Sequence, residues 1–150
     1  MATGPREVWG DLATTAFVES SPLFRSLDDS ARRDLLLVAQ LVTFAPGELV
    51  SGEGGEGVFL VVEGTAVACA GTPAGPADVS TLERGAFFGA PRVLGGSSRA
   101  WSLVARTELT AVGFPTPIVA VLAERFPKVR ALLAALLAAR EREAAARLGA

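Results

Sequence analysis

The chain has 150 residues, half of them hydrophobic, and a formal net charge of −2 with a pI near 5.2. It holds no His and one Cys, which excludes a Ser/His/Asp triad, a Cys/His dyad, an imidazole metal site, an internal disulfide and a multi-cysteine zinc centre. The acidic balance argues against a nucleic-acid binder, and a single domain of this size buries roughly 68–70% of its unfolded surface, enough for an ordinary core.

The 14 basic and 16 acidic residues are interspersed, and Arg outnumbers Lys 13 to 1. That bias fits a GC-rich bacterial genome and carries no functional reading. The start, Met1 to Glu7, lacks the cationic-then-apolar layout of a secretory signal. The charge-free run from Leu109 to Ala123 contains Pro115 and Pro117 and is shorter than the ~20 residues of a membrane span. A soluble, cytoplasmic chain is expected.

The section from about Arg6 to Gln40 reads as helical. Val8, Trp9, Leu12, Ala13 and Ala16 recur at helical spacing. Ser21-Pro22 breaks the pattern, because the residue before proline is pushed out of the α region. Leu23, Phe24 and Leu27 form an apolar connector. A second helix begins near Ser26 or Asp28, either of which can cap it, and Asp28 and Asp29 suit the positive end of the helix dipole. Leu35, Leu36, Val38 and Ala39 form its buried side, and Arg32, Arg33 and Asp34 its solvated one.

From about Leu41 to Phe114 the period changes. Short apolar runs alternate with glycine: Leu41 to Phe44, Leu49-Val50, Val58 to Val62, Thr65 to Cys69, Val79 to Leu82, Trp101 to Ala105 and Leu109 to Phe114. Gly52 to Gly57 and Gly71 to Pro76 read as loops. Many short strands at close spacing indicate a β-sandwich or barrel. Pro115 and Pro117 then open a helix with an apolar face of Ile118, Val121, Leu122 and Phe126. Pro127 starts a longer one with a stripe of Val129, Leu132, Leu133, Leu136 and Leu137. Beyond Arg140 the sequence has strong helix propensity and little to bury, with Glu143 and Arg147 placed as an i, i+4 pair.

The residues within this layout resemble a known family. Ala45-Pro46-Gly47-Glu48-Leu49-Val50-Ser51-Gly52-Glu53-Gly54 is similar to the early strand-turn signature of cyclic-nucleotide-binding domains. Gly57 to Val67 continues it. Leu82-Glu83-Arg84-Gly85-Ala86-Phe87-Phe88-Gly89 resembles the approach to that family's phosphate-binding cassette, and Arg99, Ala105 and Thr107-Glu108-Leu109 its exit. Several separated motifs in one order are more specific than a lone glycine-rich loop. The resemblance covers about Pro22 to Leu137. It implies an α+β fold of the kind seen in catabolite activators and protein kinase A regulatory subunits: a β-roll or jelly-roll (double-stranded β-helix) sandwich flanked by N- and C-terminal helices. The implied organisation is a helical segment at 1–21, the β-roll domain at 22–137 and a helical tail at 138–150.

The resemblance also implies a site made of Phe88, Gly89, Ala90, Arg99, Ala100 and Trp101. In the family, backbone amides and one Arg hold a cyclic phosphate, as physical chemistry favours for an anion, and a Glu after the Phe-Gly pair binds the ribose hydroxyl. Gly89 matches the glycine whose amide faces the ligand, and Arg99 matches the phosphate arginine. The Glu position holds Ala90, and losing that bond weakens binding by about 1.5–3 kcal/mol. Pro91 removes a backbone amide. Ala100 follows the arginine, and Trp101 stands where a small residue is usual. Trp101 shares a strand face with Arg99 and Leu103, and either stacks on a base, fills the pocket or completes a core.

Blander roles stand beside these. Arg99 fits a solvated loop arginine after Gly95 to Ser98 or the partner of a carboxylate; Glu53, Glu56 and Glu63 fit exposed charges; Cys69 fits a small buried hydrophobe; the tail from Arg140 to Arg147 fits a solvated helix face or a partner contact.

Two functions are weighed. One is a non-catalytic regulatory module that keeps the fold, has weakened or lost nucleotide binding and acts through protein contacts. The other is a cyclic AMP or cyclic GMP sensor that relays binding through its C-terminal helix. No resident cofactor or metal is expected; a cyclic mononucleotide is the one candidate ligand. The stripe of the last helix can serve the chain's own core, a dimer seam or part of each; a protein partner or a second copy would dock there, at Val129, Leu132, Leu133, Leu136 and Leu137. No helix-turn-helix is legible, so direct DNA binding is not expected. A metal-using cupin would need His ligands.

Overall fold

The computed structural model describes residues 6–8, 11–51, 58–89, 93–94 and 100–149. Trp9, the glycine loop 52–57 with Glu53 and Glu56, Ala90, Pro91 and residues 95–99 lie outside them.

The chain opens with a short strand, β1 (Arg6–Glu7), followed by α1 (Leu12–Glu19), α2 (Pro22–Arg25) and α3 (Asp29–Val38). Three side chains start these helices. Asp11 accepts from the Ala13 and Thr14 amides, Ser21 from Phe24 and Asp28 from Ala31, each satisfying a first-turn donor that has no partner inside its helix. The connector expected at Leu23, Phe24 and Leu27 thus contains a helical turn, and all three residues are buried.

Strands follow: β2 (Gln40–Phe44), β3 (Leu49–Ser51), β4 (Val58–Glu63), β5 (Ala66–Thr72), β6 (Gly75–Leu82), β7 (Phe87–Phe88), β8 (Trp101–Ala105) and β9 (Leu109–Phe114). They form two sheets, ordered β1-β2-β9-β4-β7 and β3-β8-β5-β6, with every ladder antiparallel. Helices α4 (Thr116–Arg125) and α5 (Pro127–Leu148) complete the chain. The expected α+β sandwich with helices on both flanks is the fold.

Within the five-stranded sheet β4 is buried on both faces, which explains its unbroken apolar run. Val58, Leu60 and Val62 pack with Val112, Phe114 and the helices, while Phe59 and Val61 face the second sheet. Phe24 meets Phe114 in the helical core, and Phe44 meets Phe59 edge-on between the sheets. Phe59 also lies over Gly113, where an added Cβ would sit 3.2 Å from the ring.

Four local expectations differ from the structure. The helical start near Arg6 is a strand edge paired with Leu41 and Gln40. The apolar face assigned to α1 is its outer side: Leu12 is 85% exposed, whereas Thr14 and Val18 are buried. Arg84 stacks on Phe17 at 3.8 Å and donates to the Val62 carbonyl, holding that side of α1 inward. In α4, Val119, Leu122 and Ala123 are buried and Val121 is exposed. The loop read at Gly71 to Pro76 is a tight hairpin in which Thr72 pairs with Gly75. Gly75 takes φ +111°, Thr72 Oγ1 donates to its carbonyl at 2.6 Å, and Pro76 is tolerated because β6 ends its sheet.

Candidate functional site

The site sits where the chain leaves β7. Phe87 and Phe88 point to opposite faces, Phe87 into the helical core and Phe88 between the sheets. Gly89 follows with φ +122°, a conformation that favours glycine. Across from it β8 begins with Trp101, which faces inward with Leu103 and Ala105 and is 4% exposed. Its period-two face was legible, and the structure places the indole in the core.

Helix α5 closes the recess. It measures about 33 Å at 1.5 Å per residue and crosses from the helical layer to the second sheet. Val129 and Leu133 are buried in the helical core, with Leu132, Leu136 and Leu137 packed half-buried against it. Of the roles open to this stripe, the chain's own core takes the larger part of it. Leu136, Leu137 and Arg140 line the recess together with Phe87, Phe88, Gly89 and Trp101, and the free space left is about 10 Å³, the threshold for a single water.

Arg140 is the residue that the sequence reading missed. Its side chain is 15% exposed. Nη1 donates to Ser80 Oγ at 3.1 Å and to Glu143 Oε1 at 3.2 Å, and Nη2 donates to the Phe87 carbonyl at 3.3 Å. Burial lowers its pKa from the ordinary value while Glu143 pushes it back up; an arginine remains charged under both influences. Ser80 is buried beside a register shift opposite Ala68 and Cys69, which places Val79 and Ser80 both inside. One turn further on, Ala144 is fully buried with the residues between the sheets and Leu148 packs against them. The tail read as solvated is therefore seated on the roll, and Glu143 pairs with Arg140 rather than Arg147. A signal was present: Leu133, Leu137, Arg140, Ala144 and Leu148 continue one helical stripe.

Of the six expected site residues, Phe88, Gly89 and Trp101 meet in this recess. Ala100 lies outside it, exposed, with its carbonyl accepting from Gly71 N at 2.8 Å. It lines a neighbouring groove of about 390 Å³ with Leu49, Gly71, Pro76 and Ser102. Ala90 and Arg99 fall outside the described residues. Glu63 is exposed at the end of β4, as expected. Cys69 is buried on β5, and its thiol donates to Asp78 Oδ1 at 3.5 Å. Burial raises its pKa, and Asp78 adds to the rise. Asp78 also pairs with Arg106 at 2.6 Å. Among the described residues no group of three acidic or cysteine side chains suits a metal, and no helix is long and apolar enough to cross a membrane.

The comparisons agree with this architecture. The model of the cyclic nucleotide-binding domain matches residues 41–125. The Thermus thermophilus catabolite activator protein is 29% identical over 85% of this chain, with a TM-score of 0.64. A protein from Silicibacter pomeroyi DSS-3 is 26% identical over 92% of the chain, with a TM-score of 0.67. The regulatory domain of Toxoplasma gondii protein kinase A, solved with cAMP, shares the fold at 21% identity over 83% of the chain, TM-score 0.68. This chain spans 62%, 65% and 48% of those three in turn. Among curated proteins there is no match. With its roll, its β7 turn and a family model covering more than half its length, the chain belongs to the cyclic nucleotide-binding domain family.

Proposed function

We propose that this chain is a non-catalytic regulatory module whose nucleotide binding is weakened or lost and whose output is a protein contact. One observation carries this reading: Leu136, Leu137 and Arg140 line the recess beside Phe88, Gly89 and the buried Trp101, and about 10 Å³ of free space is left there. The missing carboxylate at Ala90 and the proline at position 91 act in the same direction. Any partner, or a second copy, meets α5 on the surface its own core leaves free, which includes part of Leu132, Leu136 and Leu137. The acidic balance of this segment, a net charge of −2, fits an output through protein contact rather than through its own contact with nucleic acid.

A second reading, a cyclic AMP or cyclic GMP sensor, is favoured by Gly89, whose conformation matches a turn that presents an amide, and by the cAMP seen in the Toxoplasma relative. Thermal shift and calorimetry with both nucleotides decide between them. A ligand at a hundred times its Kd stabilises by about 2.7 kcal/mol. The expected result is no shift at millimolar nucleotide. A clear shift that Arg99→Ala abolishes would establish the sensor instead.

A further inference from the structure

A second groove lies at the border of the four-stranded sheet, away from the recess beside Trp101. Among the described residues β6 ends that sheet. The groove, of about 230 Å³, runs along this edge and is bordered by the polar side chains of Thr65, Asp78, Ser80, Thr81, Arg106 and Arg147. It thus gathers two guanidiniums, three hydroxyls and one carboxylate.

The backbone sets these groups in place. A bulge at Val79, between the pairs Ala68–Ser80 and Cys69–Asp78, turns Ser80 inward while Asp78 stays exposed. Ser80 is 6% exposed. Its oxygen accepts from Arg140 at 3.1 Å, and among the described residues its own proton has no acceptor. A buried donor left over in this way is one that a ligand can satisfy. Arg106 is fixed twice: its amide donates to the Thr65 carbonyl at 2.8 Å, and its Nη2 to Asp78 Oδ2 at 2.6 Å. Arg147 comes from the last turn of α5, which Ala144 and Leu148 seat on the roll. Among the described residues it makes no ion pair.

Asp78 offsets one of the two cations, and the groove keeps a net positive charge. The Asp78–Arg106 pair is 57% exposed on both sides. Such a pair holds weakly, so a stronger anion displaces the carboxylate. The negative end of the α5 dipole opposes an anion here, and Arg147 counters it. A planar carboxylate engages one guanidinium fork. A phosphate ester carries about −1.5 to −2 charges on three acceptor oxygens, which matches two forks and a hydroxyl arriving from separate elements. We propose that this groove binds a phosphate monoester, the group carried by a phosphorylated serine or threonine of a protein partner or by free phosphate compounds. The groove stands apart from the recess, so its occupancy does not depend on whether a nucleotide binds there.

Blocked O-phosphoserine and inorganic phosphate, each titrated into the full chain and followed by NMR amide shifts, test it. Saturable shifts are expected around Thr65, Ser80, Arg106 and Arg147. Arg147→Gln is expected to weaken binding about fivefold or more. Asp78→Asn removes the competing charge, leaves an oxygen for the Cys69 thiol and is expected to tighten binding about threefold or more. Both positions are exposed, so both variants fold. Tighter binding of phosphoserine than of phosphate assigns the group to a partner's side chain, and equal binding assigns it to free phosphate; either upholds the site. No saturable shift in the groove with either probe at tens of millimolar would overturn it. So would an affinity that Arg147→Gln does not lower or Asp78→Asn does not raise.

Discussion

Gly64→Ala is expected to be among the most damaging small substitutions in the chain. Gly64 joins β4 of one sheet to β5 of the other at φ +90°. A left-handed backbone costs a non-glycine residue about 1–2 kcal/mol. Space adds a second cost. The new methyl would overlap the Glu108 carbonyl oxygen and approach Thr107 Oγ1 to 3.0 Å. Those atoms cannot step aside freely. Thr107 Oγ1 accepts from Thr65 N at 2.9 Å, and the Arg106 and Thr107 amides donate to Thr65 at 2.8 and 3.2 Å. Disturbing two of these bonds costs about 0.5–1.5 kcal/mol each, and together with the backbone cost of about 1–2 kcal/mol the loss is about 2–5 kcal/mol. Gly47 is the internal control: its φ is +84° and an added Cβ meets nothing within 4 Å. Gly47→Ala should therefore cost only the backbone share, about 1–2 kcal/mol. A difference of about 2 kcal/mol separates the two variants by about 4–8 °C in Tm for a domain of this size. Urea denaturation and calorimetry read both quantities. Equal losses at the two glycines would refute the steric argument.

Trp101→Ala should lose about 3–5 kcal/mol, the usual cost of truncating a buried aromatic, and added indole should raise the Tm of the variant but not of the native chain; an indole that stabilises neither would show that the space collapses. Cys69 gives a pH effect of known sign. Its folded pKa is raised above the ordinary 9.0, so its contribution is complete below that pH and falls away as the pH rises through it, because the unfolded thiol ionises first. Alkaline titration of stability should show that decline in the native chain and a weaker one in Cys69→Ser, and the native thiol should react slowly with a disulfide reagent at neutral pH.

Much of the fold was readable because its signals are local. Val58 to Val62 is a run too apolar for a one-sided strand, and Asp28 stands directly before a helical pattern. What escaped reading was direction. In α1, Thr14, Phe17 and Val18 keep helical spacing as well as Leu12, Ala13 and Ala16 do, and the contacts that distinguish the faces, such as Arg84 over Phe17 and Val18 in the helical core, come from residues distant in sequence. The hairpin at Thr72 to Gly75 looked like a loop because its composition is rich in Gly and Pro, although a single hydroxyl closes it. In the site, Phe88, Gly89 and Trp101 were found through the family motif. Arg140 was not, since its charge hid that it continues the stripe of Leu133 and Leu137. Its partners Ser80 and Phe87 lie 60 and 53 residues away.

The order of strands sets how this chain must be assembled. The last two strands, β8 and β9, do not lie at the borders of their sheets; each is inserted between strands made earlier, β8 between β3 and β5 and β9 between β2 and β4. Joining Gln40 to Gly113 closes a loop of about 70 residues, an entropic cost of about 4 kcal/mol before any packing repays it. Non-local pairing of this kind belongs to slow-folding topologies. During synthesis β2, β4 and β5 wait with open hydrogen-bonding edges until Phe114 has emerged. The same short turn at Arg106 to Glu108 joins the two inserted strands, so one connection serves the closure of both sheets.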